Sequence, residues 1–143
     1  MQGSLLNLTA IYGLRAMATL AALAPGESLV VADLAERTGV PQQYLSKVMR
    51  KLVVARLVRS QRGPGGGFML AKPPASITLA HVLGAIDQGL AGGCAFGYDA
   101  CDTANPCALH PVWTQLQTSL ASWSTGSTLA DLAPSAPVRT RRK

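Results

Sequence analysis

Two helical segments joined by a tight turn decide the fold of this chain. Residues 31–55 read VADLAERTGVPQQYLSKVMRKLVVA. The first eight predict a short helix that stops at Gly39, because glycine readily takes the left-handed conformation that ends helices. Pro41 suits the first position of the next helix, which we predict to run to about Ala55. Two short helices across a glycine-containing turn are typical of a helix-turn-helix.

The second of these helices has an apolar face and a polar face. The spacing predicts that Leu45, Val48, Leu52 and Ala55 point inward. The outward face then carries amides, a hydroxyl and cations, namely Gln42, Gln43, Ser46, Lys47 and Arg50. A face of this composition is what a DNA recognition helix presents.

A glycine-rich hairpin follows the recognition helix. Two candidate strands, residues 57–60 and 68–71, flank the segment QRGPGGG at 61–67, and such a hairpin forms a wing. Arg62 could enter a minor groove, because narrow A·T-rich grooves attract guanidinium groups. The glycines, Gly65 and Gly66 among them, allow close approach of the backbone to phosphate or sugar. A nucleotide-binding loop fits poorly, since no Lys-Ser or Lys-Thr pair follows and Phe68 replaces the third glycine of a dinucleotide fingerprint.

The charge of the chain is concentrated around these motifs. The 143 residues carry thirteen Lys and Arg against seven Asp and Glu, a net charge of +6. Eight basic residues lie between Arg37 and Lys72, and no acid occurs from Arg37 until Asp87. A basic block can neutralise phosphates and release counterions, which favours nucleic acid as the partner. With 48% hydrophobic residues, global disorder is excluded.

No part of the sequence indicates a membrane protein. The longest uncharged apolar run, Ala16 to Ala24, has nine residues, which is far short of a membrane span. The first basic residue is Arg15, so the N-terminus lacks the charged region of a secretory signal. We therefore expect a cytoplasmic protein without a membrane partner.

The remaining segments complete a mainly α fold. We predict a first helix over 11–24, with Ile11, Leu14, Met17 and Leu20 on one face. A fourth helix is predicted from Thr78 to about Leu90, followed by an irregular loop over 91–107. A short helix at 129–133 follows Thr128. The predicted organisation is a winged helix-turn-helix DNA-binding domain with a small β-hairpin wing over 1–75, a loop and helix region over 76–133, and a disordered basic tail over 134–143.

A long helix near the C-terminus has an apolar stripe that requires a partner. It is predicted from Leu109 or Pro111 to Ser124. The stripe contains Leu109, Val112, Trp113, Leu116, Leu120 and Trp123 at the spacing of a helix face. Packing against the first helix is one explanation. A second subunit explains the stripe better, because DNA readers of this kind pair to match symmetric half-sites. We therefore predict a long C-terminal dimerisation helix and a homodimer.

Three cysteines and a histidine have the spacing of a metal site. Cys94, Cys101, Cys107 and His110 follow the pattern C-x6-C-x5-C-x2-H, and the last two are close enough for one helix start to direct both at one ion. Thiolates select iron–sulfur clusters or zinc. Three cysteines and one histidine would suit tetrahedral zinc equally well. A cluster-free thiol switch stays open, whereas Cys–His catalysis is disfavoured because no third orienting group or oxyanion site is visible.

With these motifs, the chain resembles the Rrf2 family of dimeric winged-helix regulators of bacteria over about residues 6–132. The resemblance lies in YGLRAM at 12–17, ADLAERTGV at 32–40, Tyr44-Leu45, the wing signature RGPGGGFML at 62–70, Ile86-Asp87, and CALHPVW at 107–113. The last segment is most similar to the family's iron–sulfur cluster assembly regulators (IscR-like). The family also includes nitric-oxide-sensitive repressors (NsrR-like).

This resemblance implies an iron–sulfur cluster bound by Cys94, Cys101 and Cys107, with His110 as the fourth ligand of a 2Fe–2S form. A 4Fe–4S cluster is the alternative, because some three-cysteine relatives hold one without a protein carboxylate. The six-residue first gap also departs from the five residues of the closest regulators. In nitric oxide sensors the fourth ligand can be a carboxylate from the partner's N-terminal helix, but the first acid here is Glu27.

The resemblance also implies how the chain meets a double-stranded DNA operator. It assigns Arg62 to the minor groove and residues 42–47, including Tyr44, to the major groove. There Gln42 and Gln43 could read adenine edges, while Lys47 and Arg50 suit guanine or phosphate. Ser46 stands where the assembly regulators have glutamate. We therefore do not assign their operator sequence to this chain. We predict a homodimeric, cluster-sensing regulator, usually a repressor, and neither an enzyme nor a binder of a small-molecule substrate.

Overall fold

The computed structural model describes residues 6–86, 94, 96, 98, 101 and 103–132. The elements in chain order are α1 (Leu8–Ala21), α2 (Val31–Thr38), α3 (Gln42–Val54), β1 (Val58–Gln61), β2 (Gly67–Leu70), a 3₁₀ turn (Pro74–Ser76), α4 (Leu79–Ala85), α5 (His110–Gly126) and α6 (Leu129–Leu132). Three predicted features lie outside the described residues: the end of the fourth helix at Leu90, much of the 91–107 loop, and the tail from 134. In the described part, no helix has the length and apolar character needed to cross a membrane.

Helix α1 begins earlier than the sequence predicted and turns a different face inward. Its start at Leu8 follows from Asn7, whose side-chain oxygen accepts a hydrogen bond from the Ala10 N–H at 2.8 Å. The buried residues of the helix are Ala10, Gly13, Ala16, Met17 and Leu20. The predicted stripe included Ile11 and Leu14, which are only half-buried. Small residues set this face, since a Cβ on Gly13 would lie 3.0 Å from Cδ1 of Ile86.

The helix-turn-helix forms as predicted, with two local corrections. Helix α2 ends at Thr38, and Gly39 adopts the left-handed conformation at φ 69°. Pro41 is the N-cap of α3, with ψ 131°, and not its first helical residue. The residues of α3 that point into the core are Leu45, Val48, Met49 and Leu52. The predicted inward position of Ala55 is wrong, because the helix ends at Val54 and Ala55 is exposed.

The wing is a hairpin that the body of the protein holds in place. Strands β1 and β2 are antiparallel, with Val58 opposite Leu70 and Gln61 opposite Gly67. Leu29, which precedes α2, also pairs with Phe68 of β2. The Leu29 N–H donates to the Phe68 carbonyl at 3.0 Å, and the Phe68 N–H donates back at 2.7 Å. The orientation of the wing is therefore fixed by a segment outside the hairpin.

Helix α6, the last element that the structure describes, packs onto the same core. Thr78 caps α4 as predicted, and His81 completes the cap, because its Nδ1 accepts the Thr78 N–H at 3.1 Å. The Leu129 N–H donates to the Ile77 carbonyl at 3.0 Å, and both side chains are fully buried. Helix α6 is thus part of the folded body.

The apolar stripe of α5 is divided between two surroundings. Trp113 and Leu120 are half-buried on a helix that packs against α4. Four other apolar side chains are exposed: Leu109, Val112, Leu116 and Trp123. We call these four the exposed α5 face, of which Leu109 is the N-cap residue directly before the helix. Packing within one chain therefore accounts for only part of the stripe.

Candidate metal centre and nucleic-acid interface

The three cysteines come together in space. Their sulfur atoms all lie within 4.8 Å of one another, and each cysteine is half-buried. The sulfurs of Cys94 and Cys107 are 3.6 Å apart. Two thiolates on one tetrahedral zinc are separated by about 3.8 Å, given Zn–S bonds of about 2.3 Å. The arrangement therefore fits a metal ion or a thiolate-bound cluster without requiring the backbone to move far.

His110 lies at the edge of this group. It is the first residue of α5, and its N–H donates to the Cys107 carbonyl at 3.1 Å. This turn brings the imidazole toward the sulfurs, so that Nδ1 is 3.4 Å from Sγ of Cys101. The fourth ligand predicted from the resemblance is thus adjacent to one of the three cysteines, and it belongs to the long helix.

Backbone donors around the sulfurs affect their protonation. The N–H of Phe96 donates to Sγ of Cys94, and that of Cys107 to Sγ of Cys101, both at 3.4 Å. A backbone hydrogen bond from Tyr98, with help from Phe96, lowers the pKa of Cys94 to about 7. At Cys101 the N–H of Cys107 lowers the pKa, but burial and the neighbouring cysteine sulfurs outweigh it and raise the pKa. Three thiols this close cannot all ionise easily without a cation between them.

The predicted recognition face of α3 is open to solvent. The residues Gln42, Gln43, Tyr44, Ser46, Lys47 and Arg50 are all exposed. Tyr44 is 56% exposed although it is aromatic. The Ser46 hydroxyl donates to the Gln42 carbonyl at 3.0 Å, which leaves its oxygen able to accept a hydrogen bond. Helix α3 contains no Asp or Glu, so the cations on this face have no acidic neighbour within the helix.

The backbone geometry of the wing tip requires glycine at several positions. Arg62 is exposed, and the Gly66 N–H donates to the Gly63 carbonyl at 2.9 Å to form a turn. Gly63 and Gly65 have positive φ angles of 91° and 74°. A Cβ on Gly66 would collide with the Gln61 carbonyl oxygen. The sequence suggested these glycines for close approach to DNA, whereas the structure shows that the turn itself already requires them.

One contributor to the wing was missed by the sequence reasoning. The Ser28 hydroxyl donates to the Gly65 carbonyl at 3.1 Å across 37 positions of the chain. Together with the Leu29–Phe68 pair, this bond fixes the tip that carries Arg62. Ser28 and Leu29 show no local signal for the role, since nothing in a loop sequence predicts which distant hairpin it will pair with.

Comparison with known proteins identifies relatives over most of the chain. The family profile described as Rrf2, iron-dependent transcriptional regulator, matches residues 6–135. A protein of Mycobacterium tuberculosis named as an HTH-type transcriptional regulator, Rv1287, is 41% identical over 123 residues, which are 85% of this chain and 76% of the relative. The HTH-type transcriptional regulator IscR of Aliivibrio salmonicida is 33% identical over 121 residues, covering 85% of this chain and 72% of the relative.

Solved structures with the same fold come from similar regulators. CymR of B. subtilis, a global cysteine regulator, superimposes with a TM-score of 0.78 at 22% identity, covering 95% of this chain and 99% of that one. IscR of T. potens gives a TM-score of 0.73 at 26% identity, covering 99% and 94%. These structures confirm the predicted mainly α winged helix with a two-stranded wing. The family match and the curated relatives confirm a transcriptional regulator and not an enzyme. The chain belongs to the Rrf2 family of DNA-binding transcriptional regulators.

Proposed function

We propose that this protein is a homodimeric transcription regulator that responds to iron, redox or nitric oxide status through an iron–sulfur cluster. The mode of regulation that we propose is repression. The ligands would be Cys94, Cys101, Cys107 and His110. The observation that carries the proposal is the convergence of three sulfurs within 4.8 Å, with Nδ1 of His110 at 3.4 Å from one of them. A bound cluster would supply a centre whose stability depends on iron supply and oxidation.

The choice between cluster types depends on the fourth ligand. A 2Fe–2S form with His110 is the one we favour, because the imidazole already borders the sulfur group. A 4Fe–4S form is the alternative. It could be held by the three cysteines without a protein carboxylate, as in some three-cysteine relatives.

DNA contact is assigned to α3 and the wing. We propose that Gln42, Gln43, Tyr44, Ser46, Lys47 and Arg50 face the major groove, and that Arg62, Gly65 and Gly66 face the minor groove and its backbone. These α3 side chains and the Arg62 side chain at the wing tip are exposed, which supports the assignment. The Leu29–Phe68 pairing also fixes the wing relative to the body that contains α3. An operator duplex is therefore the proposed partner.

The sensing site and the subunit interface share one helix. His110 starts α5, and the exposed α5 face begins beside it and continues along the same helix. Ligands from the 94–107 segment and from α5 would be joined by one cofactor, so its binding free energy becomes local folding energy. We propose that this ordering sets the distance between the two α3 helices of a dimer. A hundredfold change in operator affinity needs only about 2.7 kcal/mol.

The first test is the content and colour of anaerobically purified protein. About two iron and two sulfide per chain with several visible bands support the proposal, and His110→Ala should alter that spectrum. About four iron with one broad band indicates the 4Fe–4S alternative. Equal operator affinity of the cluster-loaded and cluster-free protein would rule out a sensing role.

Zinc is a second candidate for this site. The 3.6 Å separation of the Cys94 and Cys107 sulfurs agrees with thiolates on a single tetrahedral ion. In that case the purified protein would be colourless, would contain about one zinc per chain, and would stay colourless after anaerobic reconstitution with iron and sulfide. The DNA-binding assignment is independent of this outcome.

A further inference from the structure

The three sulfurs of the candidate metal centre have different surroundings. Sγ of Cys94 and Sγ of Cys107 are 3.6 Å apart, a distance of direct contact between sulfur atoms. Sγ of Cys101 lies within 4.8 Å of both, and it also contacts Nδ1 of His110 and the backbone nitrogen of Cys107, each at 3.4 Å. The group therefore contains a contacting sulfur pair and a third sulfur that is held by an imidazole and a backbone donor. We call Cys94 and Cys107 the sulfur pair.

The sequence separation of the sulfur pair does not by itself favour their contact. Cys94 and Cys107 lie 13 positions apart. Cys101 lies seven positions after the first and six positions before the second. In an unfolded chain shorter loops close more readily, so Cys101 would meet either neighbour more often than Cys94 meets Cys107. The contact within the sulfur pair is therefore a property of the folded structure.

Two thiols become a disulfide only if one sulfur can reach the other and an oxidant can reach the sulfurs. The 3.6 Å contact meets the first condition, because the sulfurs need to approach by only about 1.6 Å to reach a bond length of about 2.05 Å. Each cysteine is half-buried, so a small hydroperoxide can reach the sulfurs from solvent. Both conditions are met when no metal occupies the site.

We infer that in the metal-free chain Cys94 and Cys107 form a reversible disulfide, while Cys101 stays a thiol beside His110. The oxidant is hydrogen peroxide. One sulfur of the pair takes an oxygen from the peroxide to become a sulfenic acid, and one water leaves. The thiol of the other then attacks that sulfur, the S–S bond forms, and a second water leaves. Two thiols are thus oxidised and one peroxide is reduced. A dithiol reverses the step by thiol–disulfide exchange.

The disulfide and a metal exclude each other at this site. Metals bind thiolates, and the disulfide removes two of the three sulfur ligands. Cys101 and His110 alone are too few ligands for tetrahedral zinc or for an iron–sulfur cluster. After oxidative loss of its metal, the site therefore stays empty until a reductant restores the thiols. The inference holds for zinc and for a cluster alike, so it goes beyond the choice between them.

The first test counts free thiols before and after oxidation. The 143-residue chain is freed of metal by chelation in the presence of a reductant, the reductant is removed under anaerobic conditions, and a small excess of hydrogen peroxide is added. Ellman's reagent should then detect a single thiol per chain in place of three, and non-reducing electrophoresis should show only the monomer band. Three remaining thiols, or a covalent dimer, would overturn the inference.

Three matched serine variants identify the partners. Cys101→Ser keeps the sulfur pair and should lose both of its thiols at the rate of the parent. Cys94→Ser and Cys107→Ser each remove one member of the pair, and both should keep their two thiols over the same period. If all three variants oxidise at one rate, the sulfurs pair without preference and the inference is wrong.

Oxidation in concentrated urea shows whether the folded structure selects the pair. There the shorter loops should close more readily, so Cys94→Ser and Cys107→Ser should oxidise about three-fold faster than Cys101→Ser, the ratio that a doubled loop length gives. The order of rates should therefore reverse on unfolding. The same order in both conditions would mean that the 3.6 Å contact does not decide the pairing.

Zinc uptake tests the exclusion between disulfide and metal. The reduced metal-free protein should take up about one zinc per chain, the oxidised protein should take up none, and a phosphine reductant should restore uptake. Equal uptake by the oxidised and reduced forms would overturn the exclusion. These results are separate from the cofactor proposal: purified protein without a cluster leaves the thiol counts unchanged, and failure of the disulfide to form leaves the visible spectrum of the purified protein unchanged.

Discussion

Gly67→Ala should detach the wing from the body of the protein. Gly67 has a φ of 144°, a region essentially restricted to glycine. A Cβ there would lie 2.6 Å from the carbonyl carbon and oxygen of Leu29 and 2.9 Å from the Val30 nitrogen. These are backbone atoms, so no side chain can rotate away. Relief requires the Leu29 segment and β2 to separate.

The expected loss of stability follows from two contributions. The backbone conformation costs an alanine roughly 1–3 kcal/mol. Separation also breaks the two hydrogen bonds between Leu29 and Phe68, each worth about 1 kcal/mol. Together these reduce the free energy of unfolding by about 3–5 kcal/mol, a large fraction of the total for a domain of this size. If the wing separates alone, the loss appears instead as weaker binding through Arg62.

Urea denaturation and anisotropy with an operator duplex measure the two effects. Gly84→Ala is the control, because Gly84 is an exposed helical glycine whose added Cβ would meet nothing within 4 Å. It should stabilise the protein by about 0.5–1 kcal/mol. If Gly67→Ala leaves both stability and operator binding within experimental error of the parent, the wing is not held by the Leu29 segment and the reasoning fails.

Three other predictions concern the site, the wing tip and the interface. In metal-free protein the rate at which iodoacetamide modifies Cys94 should rise with pH as the thiolate forms, with a midpoint near pH 7. Cys101, whose pKa is raised, should react more slowly. Peptide mass spectrometry measures both rates, and equal rates at pH 7 would contradict the prediction. Arg62→Ala should weaken specific binding by roughly 1–3 kcal/mol, most at narrow minor grooves, whereas a uniform loss on all duplexes would mean a phosphate contact. Leu116→Glu should convert the proposed dimer to monomer in analytical ultracentrifugation, with Gln115→Glu, also exposed on α5, as the charge control.

The local elements were determined by the sequence itself. Helix α2 ends where predicted because position 39 requires a left-handed φ angle, which glycine adopts without strain. The start of α4 followed from Thr78, whose side chain satisfies a helix N–H three residues away. The spacing of three cysteines and a histidine likewise predicted a common site before any distance was known. The two helix ends depend on neighbours within a few positions of the chain, and the four candidate ligands lie within the single segment 94–110.

Contacts between distant segments were decided only by the tertiary structure. Which apolar residues of α5 are half-buried and which are exposed depends on how α4 approaches the helix, and periodicity gives the same pattern to both sets. The buried face of α1 turned toward Gly13 because Ile86 packs there. Ser28 and Leu29 hold the wing through pairings that no local pattern encodes. Helical and strand periodicity record which faces are apolar, whereas partners are chosen by the shapes that fit when all elements pack at once.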